Sequence, residues 1–528
     1  MLPLCVSIRE GLRCRDCPVA RVSVGLRKGR NSALLPRRPV DMRRSPNSNW
    51  RIRLFAEPDA VAIGRCFWIN GVHERDYAGK TRGQGAFLTV SGAIVARTLR
   101  LLLLIVAMGG GAAWASEGPP SVAESIYVAA SPRLLQIRTL VADAGQQISI
   151  GSGFLVSTDG LAITNYHVVS QVALEPNTYR LEYAAADGSH GDVSLLGVDL
   201  TNDLAIVRLD KHDAPFFAFD QAALDGGLPK GERLYSMGNP LDLGFTIIEG
   251  TYNGLVEHSY NERIHFAGAL NPGMSGGPTV STQGLVVGVN VATRRGGQLV
   301  SFLVPARFAA ALLQRVREQQ APPDLRPEIA RQLVASQSAL YKSFGEEGFR
   351  STALGPYRAP ETVSSWFNCW ANTNTGAMPK PRASINSTSC ASDTSLFVAT
   401  DLNTGSIQVA HSYVKTIDLN QFQFATFLTQ MSQPRLVGGG PFRKWYTPER
   451  CHEDFVNAIP APDHPPLRVM WCAQAYREFE GLYDVALIAV TQDHASEALV
   501  SRLSLQAVGY DDAMAVGKRF LEAVQVTK

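Results

Sequence analysis

The chain of 528 residues is short of three things: cysteine, long apolar runs and, beyond residue 115, positive charge. The apolar run Leu101–Met108 is too short for the roughly 20 residues of a comfortable membrane span. Residues 116–528 hold 31 basic and 40 acidic residues, which argues against nucleic acid as a partner. They contain no phosphate loop, heptad array or basic stripe. Only Cys369, Cys390, Cys451 and Cys472 remain in this part. Hydrophobic residues make up 45% of the chain, which excludes a disordered or fibrous protein.

The first 115 residues have a different character. Residues 1–89 carry 17 basic against 7 acidic residues and no sustained period. In 90–115, Arg97 and Arg100 precede the apolar run, and Ala113-Trp114-Ala115 fits a secretory cleavage site. We read 90–115 as a signal peptide and 1–89 as a basic leader that a start near Val90 would leave untranslated. An uncleaved signal anchor is the alternative, and the only membrane contact expected. Export to the bacterial periplasm or beyond is implied. The even cysteine count agrees with an oxidising compartment. Four cysteines allow three pairings, and short loops favour Cys369–Cys390 and Cys451–Cys472. The Cys14-x-x-Cys17 pair has no matching second pair and is set aside.

From about Ser131 to Pro305, short β-like runs alternate with turns such as Thr158-Asp159-Gly160 and Pro272-Gly273. Such a pattern indicates an all-β sandwich or barrel. Phe308, Leu312 and Val316 then form a helical stripe. After the break at Pro322-Pro323, a second helix is expected from about Pro327 to Phe344, ended by Gly345. The expected divisions are 116–320, a helical linker at 321–350, and an α+β part at 351–528. In that last part each cysteine pair is 21 residues apart and is followed by two β-like runs and a helix, an order consistent with a degenerate duplication.

Three stretches in the β-rich part carry chemistry: Thr164–Val169 around His167, Asn202–Leu209 around Asp203, and Asn271–Pro278 around Ser275. Each alone has an innocent reading as a strand end, a turn or a loop. In the order His, Asp, Ser they can form a catalytic triad. A serine hydroxyl is a weak nucleophile until a base takes its proton. His167 suits that task because imidazole titrates near neutrality. Asp203 would orient the ring. Gly273 and Ser275 would point backbone N–H groups at a developing oxyanion.

At these residues the chain resembles the trypsin-like serine proteases, and more narrowly their bacterial HtrA-type branch. Gly151-Ser152-Gly153-Phe154, Gly238-Asn239-Pro240 and Gly284–Asn290 fit the same pattern, and Val168 stands where animal trypsins carry cysteine. The resemblance covers about 130–310 and implies two six-stranded β-barrels with the triad His167, Asp203 and Ser275 between them. It implies an exported serine endopeptidase acting on polypeptides through an acyl-enzyme. Ala269 would lie at the base of the specificity pocket, with Leu270, Val289, Asn290 and Val291 around it. None is charged, so cleavage after Val, Ala, Ile or Leu is expected. Met274 replaces the branch's usual asparagine, at a position that contributes backbone. No PDZ-like module follows Pro305, and Leu243-Gly244-Phe245, a fragment like a carboxylate-binding loop, lies inside the protease part.

No cofactor is expected, and no metal: His452, Glu453 and His464 fit no common ligand spacing. His258 and His265 read as structural. The competing function is a non-catalytic binding protein on a protease fold, its C-terminal part carrying the partner contact.

Overall fold

Alternating apolar runs become strands throughout residues 134–305, in a computed structural model that describes residues 120–526 apart from 294–298, 319–321, 323, 435 and 437–442. The leader 1–89 and the signal segment 90–115 lie outside the described residues. The first six strands are β1 (Leu134–Val141), β2 (Gln147–Leu155), β3 (Leu161–Thr164), β4 (Tyr179–Ala185), β5 (His190–Asp199) and β6 (Leu204–Leu209). They close into a barrel in the order β1-β2-β3-β6-β5-β4. The next six are β7 (Arg233–Gly238), β8 (Thr246–Leu255), β9 (Ile264–Ala267), β10 (Pro278–Val280), β11 (Val286–Thr293) and β12 (Ser301–Pro305). They close in the order β10-β11-β12-β9-β8-β7. The double six-stranded barrel is therefore present.

β6 shows why these runs are strands with both faces covered. Leu204 and Ile206 join a core shared with the second barrel. Ala205, Val207 and Leu209, one step out of phase, join a second core. Before β1, helix α1 (Val122–Ala130) starts at a capping box of Ser121 and Glu124. The helix α2 (Tyr166–Leu174) leaves β3, and α3 (Ala306–Glu318) follows β12. α3 buries Ala309, Leu312 and Leu313, with Phe308 and Val316 flanking them.

The segment expected to be a linker is a strut. Helix α4 (Arg326–Glu347) has 22 residues, and at 1.5 Å per residue it spans about 33 Å. Ile329 and Leu333 at its start enter the first barrel's outer core. Leu340, Tyr341 and Phe344 at its end enter the core of the C-terminal sheet. Its stop also differs from expectation: Gly345 lies inside the helix, and Gly348 forms the C-cap.

The C-terminal part contains β13 (Phe349–Leu354), β14 (Tyr357–Thr362), β15 (Phe367–Thr373), β16 (Ala383–Ser392), β17 (Leu396–Ala399), β18 (Leu402–Thr404) and β19 (Ile407–Thr416). Helix α5 (Gln421–Met431) follows, then β20 (Arg450–Val456), β21 (Leu467–Ala475), β22 (Leu482–Thr491), β23 (Glu497–Gly509), helix α6 (Tyr510–Glu522) and β24 (Gln525–Val526). Seven strands form one sheet, β15-β16-β19-β23-β22-β21-β20. Its interior strand β22 is covered on both sides. Val485, Leu487 and Ala489 face the core under α4 and α6, while Ile488 and Val490 face the cluster under α5. Disulfides join Cys369 to Cys390 and Cys451 to Cys472. Each pair sits directly opposite across an edge hairpin, β15–β16 or β20–β21.

The two halves of this sheet take different paths. β20 through β23 run as a continuous meander. In the other half β16 pairs directly with β19, and the residues between them form a separate hairpin, β17–β18, outside the sheet.

Candidate active site

His167 is the second residue of α2, and Asp203 occupies the turn before β6. The turn is unusual, because Asp203 has φ 60°, a left-handed conformation that non-glycine residues seldom adopt. Its backbone carbonyl is held twice, by the side chain of Asn165 (2.7 Å) and by the amide of Tyr166 (3.2 Å). The carboxylate is therefore presented squarely to the histidine. Oδ1 accepts the His167 backbone N–H at 2.8 Å, and Oδ2 lies 2.6 Å from Nδ1. A proton on Nδ1 completes that bond and leaves Nε2 as the free base. Burial disfavours the charged ring, but Asp203, through its charge and its hydrogen bond, outweighs it and holds the imidazole above its ordinary value.

Ser275 comes from the second barrel. Its loop, from Asn271 to Gly277, precedes β10, and two glycines make its path possible. Gly273 has φ +95°, and a Cβ there would sit 2.5 Å from the carbonyl oxygen of Asn239. Gly276 has φ +86°, and a Cβ there would meet the Ser152 carbonyl at 2.2 Å. Met274 is fully buried in the shared core, which anchors the loop at a position offering backbone alone. Among the described residues, the N–H groups of Gly273 and Ser275 donate to no protein acceptor, whereas those of Met274, Gly276 and Gly277 do. The Ser275 hydroxyl donates to the Val291 carbonyl at 3.3 Å, not to His167.

Ser152 is a support that the motifs contained but did not explain. Its amide donates to the Ser275 carbonyl (2.7 Å), its hydroxyl donates to the Gly273 carbonyl (2.7 Å), and it accepts the Asn239 amide (2.9 Å). It ties the first barrel to the loop that carries Ser275.

The residues expected around the specificity pocket separate. Ala269 is exposed, while Leu270 is closed into the shared core. Val289 is likewise core. Asn290, between Val289 and Val291 on β11, points the opposite way and is wholly buried. Its amide donates to the carbonyls of Met237 (2.9 Å) and Met274 (3.2 Å), and its oxygen accepts from Ser236 (2.8 Å) and Thr279 (2.7 Å). It braces the loop that carries Ser275, and its side-chain polar atoms are fully engaged in doing so. Of these residues, only Val291 reaches the cleft that Asp203 also lines.

That cleft, about 280 Å³, is bounded on its far side by β17. Phe397 lies edge-on to the His167 ring, with centroids 6.0 Å apart and planes at 74°. Arg263 also lines it. Burial pulls its guanidinium down, opposed by the charges of Asp203, Asp199 and Asp393. No sequence signal marked Phe397 or Arg263. The weak metal candidates are engaged elsewhere: Glu453 pairs with Arg468 at 3.0 Å and His464 with Asp463 at 3.1 Å.

With this geometry in hand, likeness to known proteins can be weighed. Residues 151–289 match the family described as the trypsin-like peptidase domain. A Synechocystis sp. protein carrying the serine protease name HhoB is 34% identical over 167 residues, 30% of this chain and 38% of that protein. A Marinomonas sp. protein named "Probable periplasmic serine endoprotease DegP-like" is 32% identical over 182 residues, 33% of this chain and 36% of that one. The chain thus spans little more than a third of the length of these relatives. The serine endoprotease from Yersinia pestis, a solved structure, is 23% identical with a TM-score of 0.32, over 38% of this chain and 68% of that one.

Proposed function

We propose that the chain is an exported serine endopeptidase that cuts polypeptides through an acyl-enzyme. The observation that carries this reading is the double grip of Asp203 on His167, by backbone amide and by ring, opposite a serine whose loop leaves two N–H groups unpaired. Residues 116–320 would form the catalytic unit, with 351–528 as an α+β companion. The relatives' printed names and the signal-like segment at 90–115 support a periplasmic or secreted location.

β11 pairs with β10 only through Val289, and with β12 as far as Thr293. The backbone of Asn290 is still bonded to Gly276 and Gly277, so among the described residues it is the edge of β11 from Val291 onward that is open to an extended peptide, added as one more strand. Ser275 Oγ swings from Val291 towards the scissile carbonyl and gives its proton to His167 Nε2. The carbonyl oxygen gains charge and is held by the N–H groups of Gly273 and Ser275. Losing one such donor typically raises the barrier by about 2.7–4 kcal/mol. The tetrahedral intermediate collapses as Nε2 returns the proton to the leaving amine. Water, deprotonated by the same nitrogen, then releases the acyl group from Ser275. No carboxylate stands at Ala269 to pair a substrate Lys or Arg, so cleavage follows small or medium apolar residues.

The test is Ser275→Ala in the purified exported protein. Casein hydrolysis should fall on the order of a million-fold, and labelling by an alkyl fluorophosphonate should vanish. Unchanged cleavage by the variant would end this reading.

A further inference from the structure

We infer that the hairpin β17–β18 of the C-terminal part forms the wall of a substrate subsite beside His167, and that Phe397 selects the substrate residue second on the amino side of the cut bond. This rests on the endopeptidase reading above and names what that reading leaves open, the work of residues 351–528 in specificity.

The hairpin is fastened to the helix that carries the histidine. Tyr166, the neighbour of His167, is fully buried and donates its hydroxyl to the Val398 carbonyl at 2.7 Å. One helical face further on, Gln171 donates to the Thr400 hydroxyl at 2.9 Å. Leu396 and Val398 are buried in the first barrel's outer core. Phe397 alternates to the other side, is only half-buried, and presents its ring to the cleft and to His167. Phe397 also packs against that core and lies edge-on to Tyr166, with centroids 6.1 Å apart, but neither of the two hydrogen bonds that fasten the hairpin involves its ring.

An extended peptide on the open edge of β11 sends successive side chains to opposite faces. If the residue before the cut points towards Ala269, the one preceding it points back over Asp203 and His167, into the cleft. Val291, Phe302 and Phe397 meet it there. The Arg263 guanidinium donates to the carbonyls of Glu262 (2.9 Å) and Thr201 (3.4 Å), and Asp203 and Asp393, which line the same cleft, disfavour an acidic side chain. The occupant is a medium or large apolar side chain such as Leu or Phe.

The experiment uses quenched-fluorescent peptides, identical except for Gly, Val, Leu or Phe at that position. Each kcat/KM is normalised to the fraction of enzyme titrated by the fluorophosphonate. The parent should prefer Leu or Phe to Gly by at least about tenfold, the scale on which apolar pockets discriminate. Phe397→Ala should collapse that ratio to within about threefold, and Phe397→Trp should shift preference from Phe towards Val by narrowing the space. Either variant alone suffices if the other does not fold. A variant that slows all four peptides equally, or leaves the ratio as it was, overturns the inference, because the ring then only props the histidine. A parent that takes up no fluorophosphonate and cuts no peptide instead overturns the endopeptidase reading, before any variant is made, and this inference falls with it.

Discussion

Two histidines, one in the barrels and one in the C-terminal sheet, are pulled in opposite directions. His167 stands against a carboxylate, is partly open to solvent, and has its pKa raised. His411, on β19, is 97% buried in a neutral setting. One of its nitrogens lies 2.9 Å from the Ser501 hydroxyl and the other donates to the Pro360 carbonyl at 2.6 Å. Phe520 stacks on the ring. Burial without a counter-charge pushes it down to about 4. The contrast separates two uses of one side chain. A histidine for proton transfer keeps one nitrogen free and an anion behind the other, whereas a structural one has both nitrogens engaged by uncharged groups.

The comparison breaks most visibly at Asp203. Asp203→Asn keeps the shape but removes the charge that raises His167. Turnover should fall on the order of ten-thousand-fold, because the imidazole is no longer held in the useful tautomer. The acid limb of the residual pH–rate profile should move to lower pH, since the rate needs neutral Nε2 and nothing now favours the proton. A residual profile with the parent's acid limb would show that Asp203 does not set the pKa of His167.

His411 gives the opposite dependence, in stability. The unfolded chain takes up its proton near pH 6.5, while the folded chain does so only near 4. Its contribution is therefore complete above about pH 6.5 and is lost as pH falls towards 4. Two to three pKa units correspond to about 3 kcal/mol, which urea titrations at pH 7 and pH 4 should detect. His411→Phe should flatten the part of that slope due to this residue. An unchanged slope would mean that other groups govern the acid sensitivity of the sheet.

The smallest effect sharpens the boundary between the regions. Tyr166→Phe removes the hydroxyl that reaches Val398 and leaves a buried carbonyl without its donor. A loss of about 1–3 kcal/mol in stability is expected, with a smaller fall in kcat than Asp203→Asn produces. A Tyr166→Phe protein as stable as the parent would show that the hairpin docks by apolar contact alone.

How much of this was legible in the chain differs by region for physical reasons. Strand periodicity is local, so an all-β sandwich or barrel could be anticipated from short β-like runs such as Asp203–Leu209, whereas the two six-stranded barrels were implied only by the family resemblance. His167, Asp203 and Ser275 could be proposed as a triad because their three short stretches have restrictive backbone needs, such as the positive φ at Gly273. Asn290 was misplaced because three consecutive residues were assigned to one wall, when a strand shows only alternate residues to each face. The stop at Gly345 was misplaced because a glycine inside a helix costs only about 1 kcal/mol against alanine. Packing of Tyr341 and Phe344 outweighs that, and the helix continues to Glu347. The hairpin was read as a β-like run but not located. Leu396–Ala399 has the local character of a strand whether it joins the sheet or leaves it, and only the direct pairing of β16 with β19 expels it. Nothing near Phe397 in the chain announces that it lies against a histidine 230 positions earlier.

That separation has a consequence in time. The hydrogen bond between Tyr166 and Val398 spans 232 positions. At about 5–20 residues per second of synthesis, the second partner emerges on the order of ten to fifty seconds after the first. The barrels, with the three residues expected to do the chemistry, can thus be complete while one side of the cleft is still being made. A nascent chain at that stage would hold the proposed triad without the wall proposed to select its substrate.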